Sequence, residues 1–242
     1  MHRFFLSPEL LQEDIVIFPR EIAHQICRVL RLEEGKQVQV LDGLGQEYLI
    51  MLTQVESSVV TGKVVNSSPA MGEPKTRIHL FVALTQREKF EWILQKCTEV
   101  GVTSFTPIVT SRCLVQKAEE LEGKYPRWQK IIQEAAEQSH RGMLPVLNPV
   151  INFHQLTASK MDARVCGLFF WEEENLMDLK KVLADISYQD INLVIGPEGG
   201  FTSEEAEQAK EAGYLSVSLG KRILRVETAA IIASALVLYQ ME

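Results

Sequence analysis

The sequence predicts an α/β protein with a small β-rich domain in front. Three observations predict it. Short β-branched runs separated by turn residues fill the chain to about residue 66. The stretch N-S-S-P-A-M-G-E-P at 66–74 then collects the residues of a linker. Beyond it, apolar runs of strand length alternate with segments of helical period, the pattern of a largely parallel sheet. These place a first domain at 1–70 and a second at 75–242.

In the first domain, strands are expected at 15–18, 37–43, 47–52 and 58–65. Asp42-Gly43 and Glu33-Glu34-Gly35-Lys36 are the turns between them. One helix, 21–30, places Ile22, Ile26 and Val29 on a single face. Closely spaced strands of this kind suit a small barrel.

In the second domain, strands are expected at 78–84, 102–109, 164–171, 191–195 and 214–219. The helix 88–100 turns Phe90, Ile93, Leu94 and Cys97 inward and stops at Gly101. The helix 126–139 has Pro126 in its first turn and Trp128, Ile131, Ile132 and Ala135 on its core face. Residues 175–185 read as helical. Thr202 and Glu205 form a capping box for a helix ending at Gly213, and 227–240 is the last helix.

Composition narrows the classes. The first residues meet Glu9, Glu13 and Asp14 too early for a signal peptide, and the run 229–239 is too short to span a bilayer. The four cysteines, Cys27, Cys97, Cys113 and Cys166, contain no C-x-x-C pair. This argues against a zinc site or a disulfide framework and fits a reducing cytoplasm. The net charge of −7 argues against a bulk electrostatic grip on nucleic acid. Residues 1–75, 76–150 and 151–242 carry −3, +2 and −6 respectively, so any such surface is a local patch.

The chemistry concentrates in 192–230. A strand runs into Gly196-Pro197-Glu198-Gly199-Gly200, a helix follows, and a second strand runs into Gly220-Lys221-Arg222. Loops leaving neighbouring strands at one edge are where open α/β sheets bind ligands. The first turn lacks the dinucleotide G-x-G-x-x-G spacing, and it lacks the lysine and hydroxyl of a phosphate loop. Glycines beside Leu219, Ile223 and Leu224 suit a flat, adenine-like ring between backbone and apolar side chains. Plain strand–helix connections remain the competing reading at this point.

G-P-E-G-G-F (196–201) followed by L-G-K-R-I-L-R-V-E-T-A (219–229) resembles the bacterial 16S rRNA (uracil-N3)-methyltransferase family, RsmE-type, of the SPOUT superfamily. Gln95 to Gly101, Ser111-Arg112-Cys113 and Glu134 to Arg141 resemble its other blocks, as do Arg3-Phe4-Phe5 and His24 to Arg31. Val226 stands where the pattern leads one to expect threonine. The resemblance covers nearly the whole chain. It implies a C-terminal α/β trefoil-knot domain, a PUA-like β-barrel at the N-terminus, S-adenosyl-L-methionine as cofactor, 16S rRNA of the small ribosomal subunit as substrate, no metal, and a homodimer.

Carried onto this sequence, it implies cofactor contacts from Gly196, Glu198, Gly199, Leu219, Gly220, Ile223 and Leu224, with Phe170 at the third loop. Arg222, Arg225 and Glu227 are the catalytic candidates. The arginines would stabilise a uracil anion or a phosphate, and Glu227 would act as base or orient Arg225. The competing reading of the arginines is surface ion pairing, and that of Glu227 is an acidic residue beside a helix N-terminus. Thr228 reads as a helix cap first and a ligand contact second. Arg3, Arg28, Arg31, Arg112 and Arg141 are RNA candidates through phosphate. Gln138, read as sharing a helix face with Arg141, could meet the target base. His24 reads as a packed or partly exposed histidine. Phe170 to Glu172 forms that third loop, while Glu173 and Glu174 read mainly as a solvated helix entrance. Two other activities stay open: a SPOUT methyltransferase for another base or a ribose hydroxyl, and a non-catalytic RNA-binding assembly factor.

Overall fold

In a computed structural model, which describes residues 1–56, 59–113, 121, 123–158, 160–174 and 177–242, the chain forms two compact units. One comprises Met1–Glu73 with Ala136–Leu144; the other comprises Pro74–Ala135 with Pro145–Glu242.

In the first unit, β1 (Arg3–Phe5), β2 (Ile15–Ile17), β3 (Gln37–Leu41), β4 (Gln46–Val55) and β5 (Val60–Pro69) make one sheet. Its order is β1-β3-β4-β5-β2, with β1 parallel to β3 and the other pairs antiparallel. Alternate residues of these strands, among them Val38, Val40, Ile50, Leu52 and Val60, bury with Phe4, Val16 and Ile26. β5 runs on through Asn66, Ser67 and Ser68 to Pro69, so the front half of the expected linker is strand. Its polar residues pair with Gln46, Glu47, Tyr48 and Leu49 of β4, whose free backbone outweighs their weak strand propensity. Ser58, the expected start of that strand, lies outside the described residues.

The expected helix 21–30 is two pieces. α1 (Arg20–His24) passes straight into a π-helical turn, Gln25–Val29, where Leu30 N–H reaches back five residues to the Gln25 carbonyl. The wider turn carries Val29 off the apolar stripe: Ile26 is buried, but Val29 is 65% exposed. The expectation that Val29 faces the core is corrected accordingly.

In the second unit, β6 (Arg77–Ala83), β7 (Ser104–Val109), β8 (Val146–Leu147), β9 (Ile151–Asn152), β10 (Val165–Phe170), β11 (Asp190–Ile195) and β12 (Leu215–Val217) form a wholly parallel sheet. The order is β12-β10-β11-β6-β7-β8, with β9 also on β7. The helices are α2 (Arg87–Val100), α3 (Tyr125–Gln138), α4 (Phe153–Thr157), α5 (Leu179–Asp185), α6 (Ser203–Glu211) and α7 (Val226–Met241), and the end of α3 groups with the first unit. Residues 175 and 176, the expected start of α5, lie outside the described residues.

The inward face read for α2 is buried, and Gly101 ends the helix at φ 120°. α6 begins with the Thr202–Glu205 capping box. β12 lies beyond β10 as seen from β11, so the chain crosses over β10 to reach it. α7 then returns to pack on α2, β11 and β6. That doubling back is the path an α/β knot requires.

At the sheet's amino-terminal edge, Asp190 accepts from Arg77 Nε at 2.6 Å and from Nη2 at 2.5 Å. His79 spans from Ser104 Oγ (2.8 Å) to Asp190 (3.2 Å). The Arg77 guanidinium holds the Asp190 carboxyl down at about 2, and Arg127 with Arg87 does the same for Glu91, also about 2. Both carboxyls sit lower folded than unfolded. Each therefore stabilises fully above its unfolded value, roughly 4, and loses that contribution as pH falls toward 2. Asp190→Asn is expected to lower stability at pH 7 and to flatten its fall between about pH 4 and 2. Urea unfolding across that range checks it; an unchanged slope would remove Asp190 from the account.

Candidate active site

Parallel register decides which loops meet. Phe170 is level with Ile195 and with Val217, and Ile195 is level with Val82. The loops after β10, β11, β12 and β6 therefore leave the carboxyl edge at one level, where such sheets bind ligands.

The loop after β11 is a stiff turn. Gly200 N–H donates to the Pro197 carbonyl at 2.9 Å. Gly200 sits at φ 68°, a left-handed position that favours glycine, and a Cβ there would have to displace the Glu172 carboxylate. A Cβ on Gly196 would come to 2.8 Å from the Phe201 ring, which packs flat against that backbone. Arg112 Nη1 donates to the carbonyls of Gly199 (2.8 Å) and Phe201 (3.3 Å). Glu198 has no cation near it in sequence, yet α2 supplies Lys89 at 3.0 Å. Its carboxylate is thus held by protein. The Lys89–Glu198 pair, the place of Glu172 beside Gly200 and the role of Arg112 depend on tertiary neighbours that sequence alone does not give.

The loop after β12 opens with Gly220 at φ 100°, its N–H donating to Ser218 Oγ at 3.2 Å. Nothing lies within 4 Å of where its side chain would begin. Leu219 and Leu224 are half-buried, while Ile223 is 90% exposed. Lys221, Arg222 and Arg225 are exposed. α7 starts one residue earlier than expected: Arg225 occupies the N-cap position with extended backbone, and its side chain makes no cap bond. Thr228 therefore lies inside the first turn and does not cap the helix. Glu227 is 5% exposed, and its Oε2 is buried with no hydrogen-bond partner among the described residues. No hydrogen bond or ion pair joins it to Arg225 among the described residues, so this structure does not use Glu227 to orient Arg225.

The third loop begins at buried Phe170 and half-buried Trp171, whose Nε1 is a buried donor with no partner among the described residues. Ser218 N–H donates to the Met177 carbonyl (2.9 Å) and Leu179 N–H to the Ser218 carbonyl (3.3 Å), tying this loop to the one after β12. Glu172 and Glu173 are exposed, as a solvated helix entrance requires. Three loops with open glycine backbone, apolar side chains and two unpaired buried polar groups, Trp171 Nε1 and Glu227 Oε2, fit a ligand with both a ring and polar edges.

The RNA candidates divide. In the first unit, exposed Arg28 and Arg31 line a groove of about 300 Å³ with Cys27, Leu32 and Val55. Arg31 stands at φ 52°, a left-handed position uncommon for a side chain this long. Gln138 is exposed at the end of α3, and His24 is exposed too. Arg3 is paired with Glu47 at 3.2 Å. Arg141 is 4% exposed and forks onto Glu73, with Nε at 3.3 Å and Nη2 at 2.7 Å. It also follows His140, which breaks the helix at φ 63°, so Gln138 and Arg141 do not share a helix face. In the second unit, Arg112 is exposed and donates through Nη1 to the glycine turn.

Residues 72–238 match the family described as an RNA methyltransferase domain, and residues 18–64 the RNA methyltransferase PUA domain. A ribosomal RNA small subunit methyltransferase E of Synechocystis is 34% identical over 97% of this chain and 76% of its own length. One from Bacillus subtilis is 32% identical over 100% of this chain and 98% of its own. The crystal structure of a ribosomal RNA small subunit methyltransferase E from Neisseria gonorrhoeae, bound to S-adenosyl methionine, aligns with a TM-score of 0.86 at 32% identity. It covers 98% of this chain and 96% of that one.

Proposed function

The chain belongs to the RNA methyltransferase family, with the SPOUT α/β fold behind a PUA-like β domain, and we propose that it methylates N3 of a specific uridine in 16S rRNA with S-adenosyl-L-methionine. The observation that carries this reading is the register placing the loops after β10, β11 and β12 side by side. The Gly196, Gly199 and Gly220 backbone, with Phe170, Leu219, Ile223 and Leu224, forms the cofactor side. When bound, the cofactor supplies an electrophilic methyl group. N3 lies on the pairing edge, so the uracil is presented unpaired. Its N3 proton passes to Glu227, whose unused oxygen is an acceptor shielded from water. The charge that develops on O2 and O4 faces Arg222 and Arg225. Exposed Arg28 and Arg31 reach RNA phosphate.

The protein works as a homodimer. α7 exposes Ile232, Leu236 and Tyr239 (85%) at helical spacing on the side away from its buried residues, an apolar stripe that a second copy would cover. Light scattering at the mass of a single chain would refute this. Among the described residues no helix is long and apolar enough to cross a membrane, and the substrate places the work in the cytoplasm.

The deciding experiment gives the purified protein labelled cofactor and 30S subunits from an unmodified strain, then maps the product by mass spectrometry. Label on N3 of one uridine is expected. Label on ribose or another base would point to a different acceptor, and cofactor binding without transfer would favour an assembly factor.

A further inference from the structure

The turn at 196–202 is gripped from outside, and we propose that Arg112 is a positioning residue for that turn instead of an RNA contact. Its Nη1 bonds the carbonyls of Gly199 and Phe201, which bracket Gly200, the residue at φ 68°. Each peptide plane so held has its other end engaged as well, because C=O and N–H point opposite ways across a planar amide. Gly200 N–H donates to the Pro197 carbonyl at 2.9 Å, and Thr202 N–H donates to Glu205 Oε2 at 2.9 Å. Both planes are thereby fixed in rotation.

A second tie is independent of the first. Glu205 is buried, and its other oxygen, Oε1, accepts Ser111 N–H at 2.8 Å. The residue preceding Arg112 is thus bonded to the helix that follows the turn, and the two segments are joined at two points.

The arginine stem also explains Gly199. That residue is not in the left-handed region, so its backbone does not demand glycine. A Cβ there would stand 3.1 Å from Arg112 Cβ, so the stem would have to give by a few tenths of an ångström. Gly200 is favoured by φ, and Gly199 leaves room for the Arg112 stem. Lysine is a poor replacement, because its ammonium is a compact charge on a flexible stem, whereas the rigid guanidinium plane fixes the two N–H groups of the single Nη1 that meets both carbonyls.

This inference rests on the turn being a cofactor loop, and the test separates the two claims. Full-length Arg112→Ala and Arg112→Lys are compared with wild type in three measurements: amide hydrogen exchange at 199–202 without ligand, S-adenosylmethionine affinity by calorimetry, and affinity for 30S subunits over a salt series. For Arg112→Ala we expect exchange in the turn to quicken and cofactor Kd to rise, each about tenfold or more, as KM for cofactor rises and kcat at saturation holds. Binding to 30S and its salt slope stay near wild type. Arg112→Lys falls close to Arg112→Ala, and it carries the comparison if the alanine variant does not fold. Unchanged exchange and cofactor affinity, with weaker 30S binding and a shallower salt slope, would overturn the proposal and make Arg112 a phosphate contact. A wild-type protein that binds no cofactor would defeat the cofactor reading alone, since the exchange comparison still decides whether Arg112 holds the turn.

Discussion

Arg141→Ala is expected to lower the melting temperature by about 10 °C, from roughly 3 kcal/mol of lost stability in a chain this size. The arginine is 4% exposed and forks onto Glu73 through Nε and Nη2. The same carboxylate accepts the backbone N–H groups of Gly142 (2.8 Å) and Met143 (3.0 Å). Burial opposes ionisation of Glu73, but Arg141 and the two amides outweigh it and hold the carboxyl below the ordinary glutamate value. The chain approaches closely here: a Cβ on Gly142 would overlap the Ala70 methyl. Removing the arginine strands a partly buried anion, and that uncompensated charge is the main cost. Glu73→Gln strands the deeper cation and is expected to cost at least as much. Arg141→Ala combined with Glu73→Gln is expected to cost less than the sum of the two singles, the mark of a direct pair. Calorimetric melting of the four proteins checks this. A phosphate-binding Arg141 gives the opposite result, an unchanged melting temperature with weaker RNA binding.

Arg141 also marks where the sequence stopped being legible. The strands and helices of the second unit could be read because their apolar periods are long. Phe90, Ile93, Leu94 and Cys97 recur at helical spacing, and Gly101 ends the run. The two-residue strands Val146–Leu147 and Ile151–Asn152 carry no period at all. The Gly196 and Gly220 turns could be found from composition and family pattern. Which glycine is conformationally required could not, because φ at Gly200 and the Glu172 carboxylate beside it arise from tertiary contacts. The arginines were the hardest. A motif gives the residue type but not its partner, and Arg3, Arg112 and Arg141 met Glu47, two carbonyls and Glu73 from distant parts of the chain. Arg28, Arg31, Arg222 and Arg225 kept their exposure. The sequence could not separate the two groups, since a tertiary partner is a property of the fold: Arg112 is exposed too, yet its side chain is bonded.

Glu227→Gln is expected to cut the rate of methyl transfer by about a hundredfold, the scale of one lost proton acceptor, while leaving the melting temperature equal or a few degrees higher. A buried polar group without a partner costs about 1–3 kcal/mol, and Oε2 of Glu227 is such a group among the described residues. The first turn of α7 recovers part of that cost, because a carboxylate there faces the positive end of the helix dipole. Structures retain groups left in this state where a ligand completes them. The glutamine is nearly the same shape but carries no charge and takes up no proton. Activity and stability therefore move in opposite directions, which a purely structural glutamate cannot produce. A pH series adds a second signature: the glutamine variant gains rate as pH rises, because solution base increasingly supplies the N3 anion that Glu227 no longer generates. Single-turnover rates at saturating cofactor, with melting curves on the same preparations, decide the matter. Full activity with a lower melting temperature would make Glu227 a packing residue and return the proton acceptor to the substrate side of the loop.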